Sequence, residues 1–591
     1  MLRRFFNKIL KLILITFALL ITTFIVYMAY RFVAGQYNHY VFNKRIQGGV
    51  ERGGTKYYIS PNGNDANNGT SQTNAWKTIE KVNQIEFKPG DEILFESGKT
   101  FEGNLSFDSN DVGTPINPIL IATYGNEQAT IAAGDGNGLL VQNSMGFDIS
   151  NLNFVGSGQK INQNSGIVFI NDLVGEIKLD TVRIRSVRAQ GFGGHGILFW
   201  GNNGKSGFRN ILIENSESHD NRVSGVYVLG SYSITSGKYA HENVVVRSVK
   251  AYKNSGIPGL KRQNTGSGIV LSDVDGGLIE RSVAYENGWL CDSKQGGPVG
   301  IWAWDVNNVV IQHNESFDNR TGGKSDGGGF DLDGGARNSV MQYNYSHGND
   351  GAGFLVMQFT NGRLQTSNVV RYNISRNDGQ KNSYGGILIW GDVRDSQIYN
   401  NTVYVSDSQN QDLRLIAVRP NPDAARWQNQ FPANIQIANN IFVTNVDTPI
   451  VEVVQNESSI VFQNNNYFST DLNLQIIWAG NTYHNLPDWR ANTGQERNGE
   501  KESGFAVDPL FQTIGAGNIF SDIQPPEKLR PFCLKAESPL IDVGLDITNA
   551  LQIDTGKQDF YGTAIPQNKF DLGACEFTET GQKAMLGGER R

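Results

Sequence analysis

From about residue 165 to 390 the chain repeats one pattern, a glycine followed by a short run in which apolar residues occupy every second position. The phrase reads Gly166-Ile-Val-Phe, Gly196-Ile-Leu-Phe-Trp, Gly225-Val-Tyr-Val-Leu, Gly268-Ile-Val-Leu, Gly300-Ile-Trp-Ala-Trp, Gly329-Phe-Asp-Leu-Asp, Gly353-Phe-Leu-Val-Met and Gly386-Ile-Leu-Ile-Trp. A period of two is the signature of a strand with one buried face. A second phrase falls between these: Asn, alternating apolar residues, then a closing Asn. It runs from Asn243 to Asn254, Asn308 to Asn319 and Asn338 to Asn349, and the closing set is Asn221, Asn254, Asn287, Asn319, Asn349 and Asn377. An Asn at one corner of every repeat suits a turn through the left-handed region, or an amide ladder along a stack. Repeats of this length, with short strands and no helical period, predict an all-β parallel solenoid, a β-helix of ten to thirteen coils. A propeller blade needs a longer repeat, and the Leu frame of a leucine-rich repeat is absent.

The pattern fails at both ends. Arg3, Arg4, Lys8 and Lys11 precede the uncharged apolar run Leu12 to Tyr30, whose nineteen residues suffice to cross a bilayer as a helix. Its bulky exit, Ile25-Val-Tyr-Met, favors an uncleaved membrane anchor over a signal peptide, with everything after it outside the cytoplasm. The expected organisation is an anchor at 1–33, a tether at 34–54, an N-terminal cap with the first coils at 55–145, the β-helix at 146–470, and a C-terminal cap and tail at 471–591. Trp76 to Ile85 is amphipathic and suits a capping helix. Composition adds two exclusions. A net charge of −7 argues against nucleic acid as a partner, and 68 glycines argue against a helical bundle. The three cysteines are too few for a zinc site or a disulfide framework; Cys533 and Cys575 either pair or stay as buried thiols.

Three phrases near the start carry a family resemblance: Tyr57-Tyr-Ile-Ser-Pro-Asn-Gly-Asn-Asp, Trp76-Lys-Thr-Ile and Pro89-Gly-Asp-Glu-Ile-Leu-Phe. Asp508-Pro-Leu-Phe, Ser538-Pro-Leu-Ile-Asp and Asp559-Phe-Tyr-Gly to Asp571-Leu-Gly-Ala do the same near the end. Over residues 55 to 577 the chain resembles right-handed parallel β-helix proteins that act on polysaccharides, a group similar to both glycoside hydrolases and pectate-lyase-like enzymes. The resemblance implies the fold and a glycan partner, and leaves the chemistry open.

Alternation also separates the two faces of the repeated strand. Counted from each glycine, positions +1 and +3 are apolar throughout and point inward; positions +2 and +4 point out. The outward pairs are Leu198/Trp200, Tyr227/Leu229, Val270/Ser272, Trp302/Trp304, Asp331/Asp333, Leu355/Met357 and Leu388/Trp390. An outer face so rich in large apolar groups needs a partner. Aromatic faces beside carboxylates suit sugar rings, which makes Trp200, Trp302, Trp304 and Trp390 the expected substrate contacts, with Asp305 and His347 nearby. The longest connections precede Gly268, Gly300 and Gly329, where they would wall a cleft. Within Lys324-Ser-Asp326-Gly-Gly-Gly-Phe-Asp331-Leu-Asp333-Gly-Gly, Asp331 and Asp333 share one strand face at a Cα separation of about 6.6 Å. Paired carboxyls stand about 5–5.5 Å apart in retaining glycosidases and about 6.5–9.5 Å apart in inverting ones.

Three functions compete. In a glycoside hydrolase without cofactor, two of Asp326, Asp331 and Asp333 act as acid and as base or nucleophile. In a polysaccharide lyase or uronate epimerase the aspartates hold Ca²⁺, and Lys324, Arg337 or His347 takes the proton. The outward pairs contain no Lys or Arg for an anionic uronate, although loops offer Lys261, Arg262, Lys294 and Arg320. The third possibility is a glycan-binding surface protein with no catalysis. A monomer is expected in each case.

Overall fold

The computed structural model describes residues 53–231, 237–359, 362–421, 430–514, 530–551, 554–566 and 569–578. They form a parallel β-helix. One sheet of thirteen strands takes one strand from each coil, and a 27-stranded sheet wraps the remaining two sides. The two sides join because some strands bend round the corner without breaking, as in Ser267–Glu280 and Val299–Gln312. The site lies on strands β1 (His195–Gly201), β2 (Ser224–Leu229), β3 (Ser267–Glu280), β4 (Val299–Gln312), β5 (Gly328–Asp333), β6 (Phe354–Gln358), β7 (Gly385–Gly391) and β8 (Arg414–Arg419). Each pairs in parallel with the next, in a register that keeps like positions stacked. The inward column Ile197–Val226–Ile269–Ile301–Phe330–Phe354–Ile387–Ile416 is buried throughout. Phe330 and Phe354 stack within it, 5.3 Å between centroids.

The corner asparagines form ladders. Each side-chain amide donates to the amide oxygen of the next coil: Asn254 to Asn287, Asn287 to Asn319 and Asn319 to Asn349, each at 2.9 Å. The last step, Asn349 to Asp378, is 2.7 Å. The left-handed residue of each corner is the preceding one, namely Asp220, Lys253, Glu286, Asp318 and Gly348. Of the two expected roles for these asparagines the ladder is therefore the one realised. In the sixth coil Asn377 takes the left-handed position and Asp378 takes the ladder. A second ladder runs Asn314–Asn344–Asn373–Asn401–Asn440–Asn465 and ends on Glu496. Buried amides need partners, and a stack supplies them coil by coil. The opening glycine follows from this packing: a Cβ on Gly196 would stand 1.8 Å from Ser218 Oγ and 2.7 Å from Asn221 Nδ2.

Two expectations are corrected at the ends. The helix near the N-terminus is one turn, Ile79–Val82, capped by Thr78 and burying Ile79 and Val82, while Trp76 packs in extended chain ahead of it. The membrane-spanning helix is removed from the fold class: among the described residues no helix is long and apolar enough to cross a membrane, and Leu12 to Tyr30 lie outside those residues. At the other end the helix Leu486–Thr493 places Trp489 against Phe462, Tyr467 and Trp478, closing the core. Cys533 and Cys575 form a disulfide, Cα–Cα 5.2 Å, and Cys291 is a buried free thiol.

Candidate active site

Stacking in register turns the outward positions into columns. One column reads Leu198–Tyr227–Val270–Trp302–Asp331–Leu355–Leu388–Ala417. Beside it Ser272, Trp304 and Asp333 stand in line, and Met357 pairs with Trp390. The two aspartates therefore interrupt an apolar stripe, with indoles one coil before them and aliphatic side chains one coil after. Trp302 is buried and donates its indole N–H to Ser267 Oγ at 3.1 Å. Trp304 is half-buried, donates to Tyr227 Oη at 3.2 Å and lies 6.3 Å from the Phe359 ring. Both indole N–H groups have protein partners; Trp302, expected as a substrate contact, is buried under its neighbours, and Trp304 is the ring that presents apolar surface. On the far side Trp390 packs edge-on to Tyr384, with Leu355, Leu388 and Ala417 around them.

Three carboxyls meet between these walls. Asp331 is only 2% exposed, and its Oδ1 has no hydrogen-bond partner among the described residues. Burial, then the charges of Asp333 and Asp326, hold its pKa well above the carboxylate range. Asp333 is half-buried and accepts the Gly334 N–H at 2.7 Å. Burial first, and Asp326 as well, push it up to about 8. Asp326 comes from the loop before β5, half-buried, with φ +50°. Its Oδ2 accepts the Gly297 N–H and its Oδ1 accepts the Tyr384 hydroxyl at 3.1 Å. Burial raises its pKa and these two donors oppose the rise. Like charges at short range cannot all ionise, so the group keeps at least one proton beside an available carboxylate. Asp326 and Asp333 are the two with open surface, and Asp331 has almost none.

Two residues expected nearby are placed elsewhere. Asp305 is fully buried at the strand corner, paired with Arg363 at 2.9 Å. Arg363 also faces Asp273, which binds Lys205 at 2.6 Å. This ion network lies under the surface, where Asp305 cannot serve a ligand. His347 is on the thirteen-strand sheet, 2.9 Å from Glu315 and stacked on Phe317 in a column of rings that begins at His219. Trp200 stands on the site's face, several coils before the aspartates. Tyr384 is a neighbour of Asp326 that the repeat pattern missed. It lies just before the Gly385-Gly386 pair, two coils from Asp326, and only a coil-by-coil alignment of loops brings the two to one corner. Among the described residues no group of three or more His, Cys, Asp or Glu is placed to hold a metal ion.

One family match agrees with the fold. The family described as "right handed beta helix region" matches residues 174–403. A lacto-N-biosidase from Bifidobacterium longum subsp. longum is 24% identical over 90% of this chain, and the match spans 38% of that protein's length. Among solved structures, a GH136 lacto-N-biosidase from Eubacterium ramulus is 17% identical, with a TM-score of 0.37 over 70% of this chain and 69% of that one. Pectate lyase Pel9A is 16% identical, with a TM-score of 0.42 over 90% of this chain and 98% of that one. The chain is a right-handed β-helix protein similar to carbohydrate-active enzymes.

Proposed function

We propose that this chain is a glycoside hydrolase whose oligo- or polysaccharide substrate lies along the outer face of β1–β8, with Asp326 and Asp333 as the acid and the base or nucleophile. The observation that carries the reading is a group of three interacting carboxyls on an apolar stripe, with two members half-buried and the third almost fully buried. Hydrolysis needs a proton for the leaving oxygen and a carboxylate on the other side of the ring. A cluster that suppresses its own full ionisation supplies both at neutral pH. Trp304 offers a flat apolar surface beside the carboxyls, fitted to the C–H face of a sugar, and Trp390 extends the stripe past them. The similarity to a lacto-N-biosidase supports the class and makes a lacto-N-bioside the first substrate to try.

The test is a panel of neutral and acidic glycans, including an aryl lacto-N-bioside, read by reducing ends and by ultraviolet absorbance. D326N and D333N should each lower kcat/KM by about 10²–10⁴-fold with the fold and glycan binding retained. D331N should cost less, because Asp331 acts through its neighbours. Unchanged turnover in both D326N and D333N would falsify the assignment. An unsaturated uronate product from the wild type would make the protein a lyase instead.

A further inference from the structure

Asp326 has a difficulty that Asp333 lacks. Asp333 stands on a strand held on both sides, whereas Asp326 stands in a Gly-rich loop whose backbone alone does not orient its carboxyl. Two neighbours do. From the coil before, Gly297 brings its N–H to Oδ2, so closely that a Cβ there would lie 2.2 Å from Ser325 O and 3.0 Å from Asp326 Cβ. From two coils after, the Tyr384 oxygen closes a small ring: it accepts the Asp326 backbone N–H at 2.9 Å and donates to Oδ1 at 3.1 Å. Tyr384 does not depend on Asp326 for its own place. Its ring is 6% exposed, packed with Ala352, Leu355, Leu388 and Ala417, and the Trp390 ring meets it edge-on at 6.0 Å.

We propose that Tyr384 is the positioning residue of this centre: its hydroxyl locks the Asp326 carboxyl, backbone and side chain together, in the orientation that faces the substrate. The proposal rests on the reading of Asp326 as a catalytic carboxyl. A phenol donor to a carboxylate also favors the ionised form, and the Tyr384 hydroxyl acts in that direction on Asp326. Around this loop stand Asp331 and Asp333 from β5, Lys324 within the loop itself, and Asp350, whose Cβ lies against Gly327 and whose carboxylate faces Arg320 at 3.5 Å. Lys381 reaches the same loop, with its ammonium on Thr321 O at 2.6 Å. Because the Tyr384 ring meets Trp390, the same residue connects the wall of the trough to the carboxyl.

The experiment is Tyr384→Phe, which keeps the packed ring and removes only the oxygen. Carboxyl-labelled aspartate followed by carbon NMR gives the Asp326 titration directly, the Asp326 signal being the one absent from D326N. In Y384F the Asp326 midpoint should rise by about one pH unit, the size of one hydrogen bond to a charged group. The limb of the kcat/KM profile that belongs to Asp326 should rise with it, and kcat should fall more than KM changes. Should Y384F fold poorly, 3-fluorotyrosine at 384, a stronger donor of nearly the same shape, should move the midpoint down. An Asp326 midpoint that ignores both replacements overturns the proposal. A wild type that turns over no glycan overturns the catalytic reading instead, and the NMR midpoint still decides whether Tyr384 holds Asp326.

Discussion

At the scale of single residues, the site is defined by what each carboxyl lacks. Among the described residues Asp331 lacks a partner for Oδ1, and it lacks solvent, so its charge is the most expensive of the three. Asp333 has one backbone donor, and Asp326 has a backbone donor and a phenol. This order of support predicts a pH dependence. A carboxyl whose pKa is raised stays protonated below that value and loses its proton above it. With Asp333 pushed up to about 8, kcat/KM should hold through neutral pH and decline above about 8 as Asp333 loses its proton. A pH–rate profile checks this. A decline beginning near pH 5 would mean that an ordinary, unperturbed carboxyl is the acid.

At the scale of elements, the same logic appears in a structural role. Each amide ladder ends where an asparagine is replaced by an acid, Asp378 in one and Glu496 in the other. Asp378 is fully buried, and burial raises it to about 6 against three hydrogen-bond donors from Asn349 and Ser375. The folded pKa lies above the unfolded one, so the folded state binds the extra proton. The stability from this group is complete below about pH 4 and is lost as pH rises toward about 6. Asp378→Asn should therefore stabilise the protein at pH 7 by about 1–3 kcal/mol and leave it unchanged near pH 4. Its new N–H₂ repeats the pattern of Asn349, which donates to the Ser316 carbonyl and the Ser346 hydroxyl. Thermal melts at the two pH values decide it, and an equal shift at both would show that the ladder geometry matters and the proton does not.

At the scale of the whole molecule, a solenoid has two raw ends and a long seam. The C-terminal region covers part of one side: Leu534, Leu540, Leu572 and Phe560 pack with Tyr343, Tyr372, Tyr399 and Tyr404 in a second core. The disulfide between Cys533 and Cys575 closes a segment with a sequence separation of 42 inside this cover. Loop-closure entropy alone makes such a bond worth about 4 kcal/mol to the segment. Replacing both cysteines by serine should raise hydrogen exchange in 530–578 and leave the exchange of β3–β6 and the turnover unaltered. Loss of activity in that variant would show that the cover supports the site as well as the seam.

How much of this was legible in the sequence depends on the range of the interaction. Alternation within a strand is local chemistry, so the solenoid, its inward and outward positions, and the pairing of Trp302/Trp304 with Asp331/Asp333 could all be read from the chain. The amides of the corners were visible too, but not which residue of each corner takes the left-handed position, since Asp, Lys, Glu and Gly do so in successive coils. Contacts that skip coils were not legible. Asp305 read as a site residue and proves to be bound to Arg363, and Tyr384, which stands outside both repeated phrases, holds Asp326, because loop lengths vary from coil to coil and erase the register that strands preserve. The sequence alone determined the coil and which residues face outward from it; only the stacked structure decided which carboxyls on that face are buried, which are reachable, and what holds them.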